Sequence, residues 1–157
     1  MEKVRAEILA INIARTTGAR IVISAPAQKI FDVIADPCSH QLFDGSGTIQ
    51  KNISGPGRLA LGAKFGMGMK IKVPYRITNT VVAFEEGRKI SWCHLMKWTW
   101  TYELQELGDG KTQVTESFSG HDIPWYAQRW LKATGALEQN PKWMAKSLVQ
   151  LKALCER

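Results

Sequence analysis

The stretch Trp98-Thr-Trp-Thr-Tyr-Glu-Leu104, followed by Asp109-Gly110 and then Thr112-Gln-Val-Thr-Glu-Ser-Phe118, decides the fold class. Trp98, Trp100, Tyr102 and Leu104 alternate with Thr99, Thr101 and Glu103, the period of two that sends successive side chains to opposite faces of a strand. Asp-Gly is a pair that accepts positive φ at both centres of a two-residue turn, so the flanking strands are joined as an antiparallel hairpin.

Upstream the same period recurs. In Ala63–Val73, Phe65, Met67, Met69 and Ile71 share one face, and Gly66, Gly68, Lys70 and Lys72 the other. Pro74–Phe84 follows, Glu86-Gly87 turns it, and Lys89–Leu95 returns. From Thr48 to His121 the chain therefore reads as one meandering antiparallel sheet. Before it, Ala19–Ser24 is a β-branched strand. Ser24-Ala-Pro-Ala opens a helix with Ile30, Phe31, Val33 and Ile34 on its apolar face, and Asp36-Pro37 ends it. A second short helical turn covers Pro37–Phe43, and Asp44-Gly-Ser-Gly is a turn whose glycines are expected to let the loop hinge. Residues 1–14 stay open: an extension, the beginning of the first strand across Gly18, or a helix over Glu2–Ile13.

Behind the sheet, Pro124–Thr134 reads as a helix, with Asp122 as its cap. Gly135 and Pro141 interrupt, and Lys142–Cys155 places Met144, Leu148, Leu151 and Cys155 on one stripe. So apolar a helix after an antiparallel sheet must lie across it. The fold class is α+β: about six to seven antiparallel strands, two short helices after the first strand, and a long closing helix.

The chain has 157 residues, 45% of them hydrophobic and 22% charged, and nothing divides it, so one domain over 1–157 is expected. No apolar run exceeds four residues, which excludes a membrane-spanning helix. The N-terminus lacks the pattern of a secretory signal. Cys38, Cys93 and Cys155 form no CxxC pair, which suits a reducing compartment, so the expected location is cytoplasmic. The net charge is +7, but the bases are scattered along strands instead of crowding one helix, and no nucleic-acid partner is expected. Metal, P-loop, Rossmann and nucleophile-elbow patterns are missing from the sequence, and neither metal nor cofactor is called for.

The candidate site lies on the inward faces. Phe65, Met67, Met69, Tyr75, Trp92, Trp98, Trp100, Phe118 and Trp130 offer adaptable thioethers and flat apolar walls, the lining that a greasy or aromatic ligand needs. The same residues also suit a solid core. His94 shares a face with Trp92, Tyr102 follows Trp100, and Glu116 lies between Val114 and Phe118. An imidazole, a phenol and a carboxyl converging on an apolar pocket would bind a ligand oxygen or exchange protons with it, so His94, Tyr102 and Glu116 are the candidate catalytic residues. The alternative is a hydrogen-bonded core histidine and a paired rim glutamate.

The run Ile23-Ser-Ala-Pro-Ala-Gln-Lys-Ile-Phe-Asp-Val-Ile-Ala-Asp-Pro37, then His40 and Phe43-Asp-Gly-Ser-Gly47, resembles the START-like (SRPBCC) superfamily, specifically its polyketide cyclase/dehydrase and lipid-transport group. Val73-Pro-Tyr-Arg, Phe84-Glu-Glu-Gly-Arg-Lys-Ile-Ser-Trp92 and Val114-Thr-Glu-Ser-Phe118 resemble that group's later strands, and the Phe-Asp-Gly-Ser-Gly form resembles an uncharacterised bacterial subgroup. The resemblance covers about residues 19–157. It implies the helix-grip fold, a curved sheet wrapped around the C-terminal helix, with a cavity between them for an apolar molecule or lipid. A single START-like domain with a hydrophobic small-molecule partner follows. Two other functions fit the same resemblance: a polyketide cyclase or dehydratase using that cavity, and a protein-interaction module of the co-chaperone kind. Enzymatic activity and a homodimer are left open.

Overall fold

The computed structural model describes residues 3–70, 72–93 and 96–157, with the backbone alone for 50–53. The Asp109-Gly110 turn is formed as its chemistry requires, with φ of 53° and 70°. It joins β7 (Thr99–Gly108) to β8 (Lys111–Ser119), whose register sets Tyr102 opposite Glu116 and Trp100 opposite Phe118. On the far side of β8 lies β2 (Thr16–Ile23), with Ala19 opposite Glu116 and Ile21 opposite Val114. On the other side of β7 follow β6 (Lys89–Cys93), β5 (Pro74–Glu85), β4 (Lys64–Lys70) and β3 (Ile49–Ser54). All pairings are antiparallel, and the sheet is the expected curved meander.

An eighth strand comes from the segment that the sequence leaves open. β1 (Glu7–Leu9) turns back on β2 at the sheet edge, with Glu7 opposite Arg20. Residues 3–14 therefore neither run on into β2 as one strand nor form a helix. Arg15 takes a φ of 54° at the turn, and its guanidinium donates to the carbonyls of Gly120 (2.8 Å) and His121 (2.7 Å), tying the turn to the end of β8. The Arg20 guanidinium donates to both carboxylate oxygens of Glu7 at 2.7 and 3.3 Å, a bidentate cross-strand pair.

Two short helices follow β2, as expected. α1 (Ala27–Ile34) buries Ile30, Phe31 and Ile34. The Asp36 side chain then accepts from Cys38 N–H and Ser39 Oγ–H, capping a 3-10 turn at Pro37–Ser39 that leads into α2 (His40–Phe43).

α3 (Trp125–Thr134) ends at Gly135, whose φ of 68° is the left-handed stop that glycine supplies without strain. α4 (Ala136–Cys155) begins directly after it. The expected interruption at Pro141 is not there. The proline sits inside the second turn of α4, where it costs one backbone hydrogen bond, to the Leu137 carbonyl, without ending the helix. Asn140, Met144, Ser147, Leu148, Leu151 and Cys155 form the buried stripe of α4, which packs across β2 and β8. Leu148 and Leu151 are fully buried, each contributing about 2–3 kcal/mol of apolar burial. Asp122 is exposed and does not cap α3, whose N-cap is Pro124. Among the described residues no helix is long and apolar enough to cross a membrane.

Candidate functional site

The sheet and α4 do not meet everywhere. Between them is a cavity of about 740 Å³. Period-two alternation supplies one wall: Met67 and Met69 from β4, Ile77 and Asn79 from β5, Trp92 from β6, Trp100 and Tyr102 from β7, Glu116 and Phe118 from β8. Helical spacing supplies the facing wall, with Leu131 from α3 and Asn140, Trp143, Met144 and Ser147 from α4. Tyr75, Trp130, Thr134 and Gln139 are the exposed members of the lining and mark where it meets solvent.

The aromatic rings brace one another instead of filling the space. Trp92 touches Phe65 (centroids 5.6 Å apart), Tyr102 (5.7 Å) and His40 (5.1 Å). Phe118 packs against Trp100 at 4.9 Å and Trp98 at 6.2 Å, and Trp98 stacks on Trp130 at 5.4 Å with ring planes 20° apart. A wall made this way is rigid and apolar, and offers flat surfaces to a flat guest.

The polar groups on this surface are few and differently held. Glu116 is 5% exposed, and its Oε2 has no hydrogen-bond partner. Burial pushes its carboxyl up to about 8; the neighbouring Tyr102 hydroxyl draws it down and the Asp44 carboxylate pushes it further up. Glu116 is thus a neutral acid at pH 7, able to donate as well as accept. Tyr102 is 4% exposed and is raised well above the ordinary phenol value, first by burial and then by Glu116. His40 is buried too, and burial lowers its pKa, so the imidazole is neutral; its Nε2–H donates to the Ile34 carbonyl at 2.8 Å.

The loop after α2 closes one side of the cavity. Asp44 accepts from Ser46 N–H (3.0 Å), Ser46 Oγ–H (2.6 Å) and Ile49 N–H (2.9 Å), the self-bonded turn that its sequence suggests. The expected hinge is not formed at Gly45. Its N–H donates to Ser147 Oγ at 2.7 Å, and a Cβ there would lie 2.4 Å from the Trp143 carbonyl oxygen and 2.5 Å from Ser147 N. Glycine is needed because the loop backbone lies directly on that of α4. This is a clamp.

Of the residues singled out in the sequence, Met67, Met69, Tyr75, Trp92, Trp98, Trp100, Tyr102, Glu116, Phe118 and Trp130 line the cavity. Phe65 does not; it is fully buried behind the wall, edge-on to His40 and Trp92. His94 lies outside the described residues. Tyr102 and Glu116 are directly paired across β7 and β8. Sequence reasoning missed Asn79 and Asn140, both buried, and the wall that α4 contributes through Trp143. The inward period of β5 would have found Asn79 beside Ile77. His40, named in the sequence only as part of the family run, has its ring carried inward by the capped turn before it.

A second hollow, about 830 Å³, is a polar groove at the β5–β6 turn, lined by Gln28, Glu86, Arg88, Lys89 and Glu103 among others. Three of its charges are taken up by ion pairs, Lys89 with Glu103 at 3.5 Å and Glu86 with Arg58. The apolar cavity is the better site.

The comparisons with known proteins bear on this arrangement. A solved protein from Mycobacterium smegmatis superposes with a TM-score of 0.68 at 17% identity, covering 96% of each chain. A polyketide cyclase-like protein from Corynebacterium glutamicum superposes with a TM-score of 0.61 at 16% identity, over 92% of this chain and 93% of its own. Both likenesses speak to the fold. In sequence, the uncharacterised protein Rv0088 of Mycobacterium tuberculosis is 39% identical over 102 residues, covering 64% of this chain and 46% of that protein, so the chain matches about half the length of this relative. A family model described as polyketide cyclase/dehydrase and lipid transport matches residues 14–156, from the turn before β2 to the end of α4. With the curved sheet, the gripped helix and this match spanning nearly the whole chain, the protein belongs to the polyketide cyclase/dehydrase and lipid-transport family of the START-like superfamily.

Proposed function

We propose that this protein binds a hydrophobic small molecule, a lipid or a polyketide-like compound, in the cavity between sheet and α4. The observation that carries the reading is a space of about 740 Å³ walled by braced tryptophans and four methionines. Cavities of this size accept drug-sized guests and bury most of their surface. No Lys or Arg is among the described lining residues, so affinity comes from apolar contact.

A cyclase or dehydratase reading draws on His94, which lies outside the described residues, and on Tyr102 and Glu116, which face the same space. It needs a proton acceptor at neutral pH, and Tyr102 and Glu116 both hold their protons there. The largely apolar lining favours simple carriage. The test is titration with the neutral fluorophore N-phenyl-1-naphthylamine. Saturable enhancement that Ile77→Trp, a substitution filling the cavity, abolishes without lowering the melting temperature supports it. Absence of saturable binding, or binding indifferent to that substitution, refutes it.

A further inference from the structure

Among the described lining residues, Glu116 carries a fully buried side-chain oxygen that has no hydrogen-bond partner. Ala19 and Tyr102 stand opposite it on the flanking strands, and its Oε2 has no partner. Three other polar groups of the lining are engaged within the protein: Asp44 by its own turn, Ser147 by Gly45 N–H, and His40 through Nε2 by the Ile34 carbonyl. A buried polar atom without a partner costs about as much as a lost hydrogen bond, and native structures rarely keep one without a use.

We propose that the cavity selects an apolar molecule bearing one uncharged oxygen, a ketone or a hydroxyl, which the Glu116 carboxyl and the Tyr102 hydroxyl hold by hydrogen bonds. The inference rests on the carrier reading and names its ligand class. A free carboxylate or phosphate ester would meet Glu116 and Asp44 with no Lys or Arg among the described lining residues to balance it. A plain hydrocarbon would leave Oε2 as it is. A ketone accepts a hydrogen bond from a neutral carboxyl, and a hydroxyl can both donate to it and accept from it. Trp92 beside Tyr102, and Trp100 and Phe118 on the neighbouring rows, then cover the rest of the guest with apolar surface.

The titratable groups that share the cavity lining with Glu116 among the described residues are Tyr102 on β7, Tyr75 on β5, Asp44 on the loop after α2 and His40 on α2. Tyr102 keeps its proton far above neutrality and burial keeps His40 neutral, which leaves Glu116 as the group that changes state between pH 7 and 9.

The experiment is a matched series, n-dodecane, 2-dodecanone, 1-dodecanol, dodecanoate and dodecylammonium, measured on the full chain by displacement of N-phenyl-1-naphthylamine and by thermal shift. At pH 7 the ketone and alcohol should bind about tenfold more tightly than the hydrocarbon, the effect of one neutral hydrogen bond in a dry site. Glu116→Gln, whose amide also donates, should keep most of that margin, and Glu116→Leu should erase it while still binding dodecane. The ketone's margin should shrink above pH 8 in the wild type and stay constant in Glu116→Gln. Equal affinity for ketone and hydrocarbon, preference for dodecanoate or dodecylammonium, or a margin that survives in Glu116→Leu would each overturn the proposal and leave the carrier reading standing. A chain that none of the five enters overturns both.

Discussion

His40 stacks on Trp92, ring centroids 5.1 Å apart and planes 24° from parallel, while its Nε2–H is spent on the carbonyl of Ile34. The imidazole thus joins the end of α1 to the cavity wall, and the protein needs it neutral. Below pH 6.5, the ordinary value, the unfolded chain takes up a proton that the buried ring resists, so stability falls as pH drops through 6.5 and levels once the folded ring also protonates. His40→Leu should remove this fall between pH 7.5 and 5.5, and at pH 7.5 should cost about 1–3 kcal/mol for the orphaned carbonyl. Urea melts of both proteins at the two pH values provide the check.

Glu116 carries the opposite sign. Its carboxyl stays protonated in the fold up to about 8, whereas in the unfolded chain it ionises near 4.5, so its burial weakens the fold progressively as pH rises from 4.5 to 8. Glu116→Gln, unable to ionise, should gain over the wild type by on the order of 3 kcal/mol between pH 5 and pH 8. A difference in melting temperature that does not widen with pH would show that the carboxyl is not held neutral.

Gly45 and Gly47 are separated by one serine and serve different ends. Gly45→Ala puts a methyl group into the α4 backbone and should cost about 3 kcal/mol or more, because two main chains must part. Gly47, with a φ of 69° and open space around it, should cost only about 1 kcal/mol as alanine. Equal costs in denaturant melts would contradict the clamp.

Trp130 is 48% exposed yet stacks on Trp98 at the edge of the lining. Trp130→Ala should move the melting temperature by no more than about 2 °C and speed release of N-phenyl-1-naphthylamine several-fold in stopped-flow dilution. Unchanged release would place the exchange route elsewhere.

Much of this was legible in the residues. Period-two alternation in Lys64–Lys70 and Thr99–Gly108 showed which side chains share a face, and positive φ at Asp109-Gly110 admitted one turn. What escaped was decided by tertiary context. Pro141 carries a strong local signal to break a helix, but one lost hydrogen bond is outweighed by the buried stripe on either side of it, so Asn140 belongs to α4 and reaches the cavity. The edge strand β1 has no distinctive pattern, being fixed by Arg15, which grips the carbonyls of Gly120 and His121, and by Arg20, which grips Glu7 across the turn. Phe65 has the same inward phase as Met67 and still misses the cavity, since alternation tells a face and not a depth.

The seam between Gly45 and the carbonyl of Trp143 has a last bearing on how a guest comes and goes. With that flank held shut, the exposed side chains of Trp130 and Tyr75 are the expected way in for a guest. Such side chains swing within nanoseconds, far faster than a loop peels away, so passage there would need no unfolding of the sheet around the cavity.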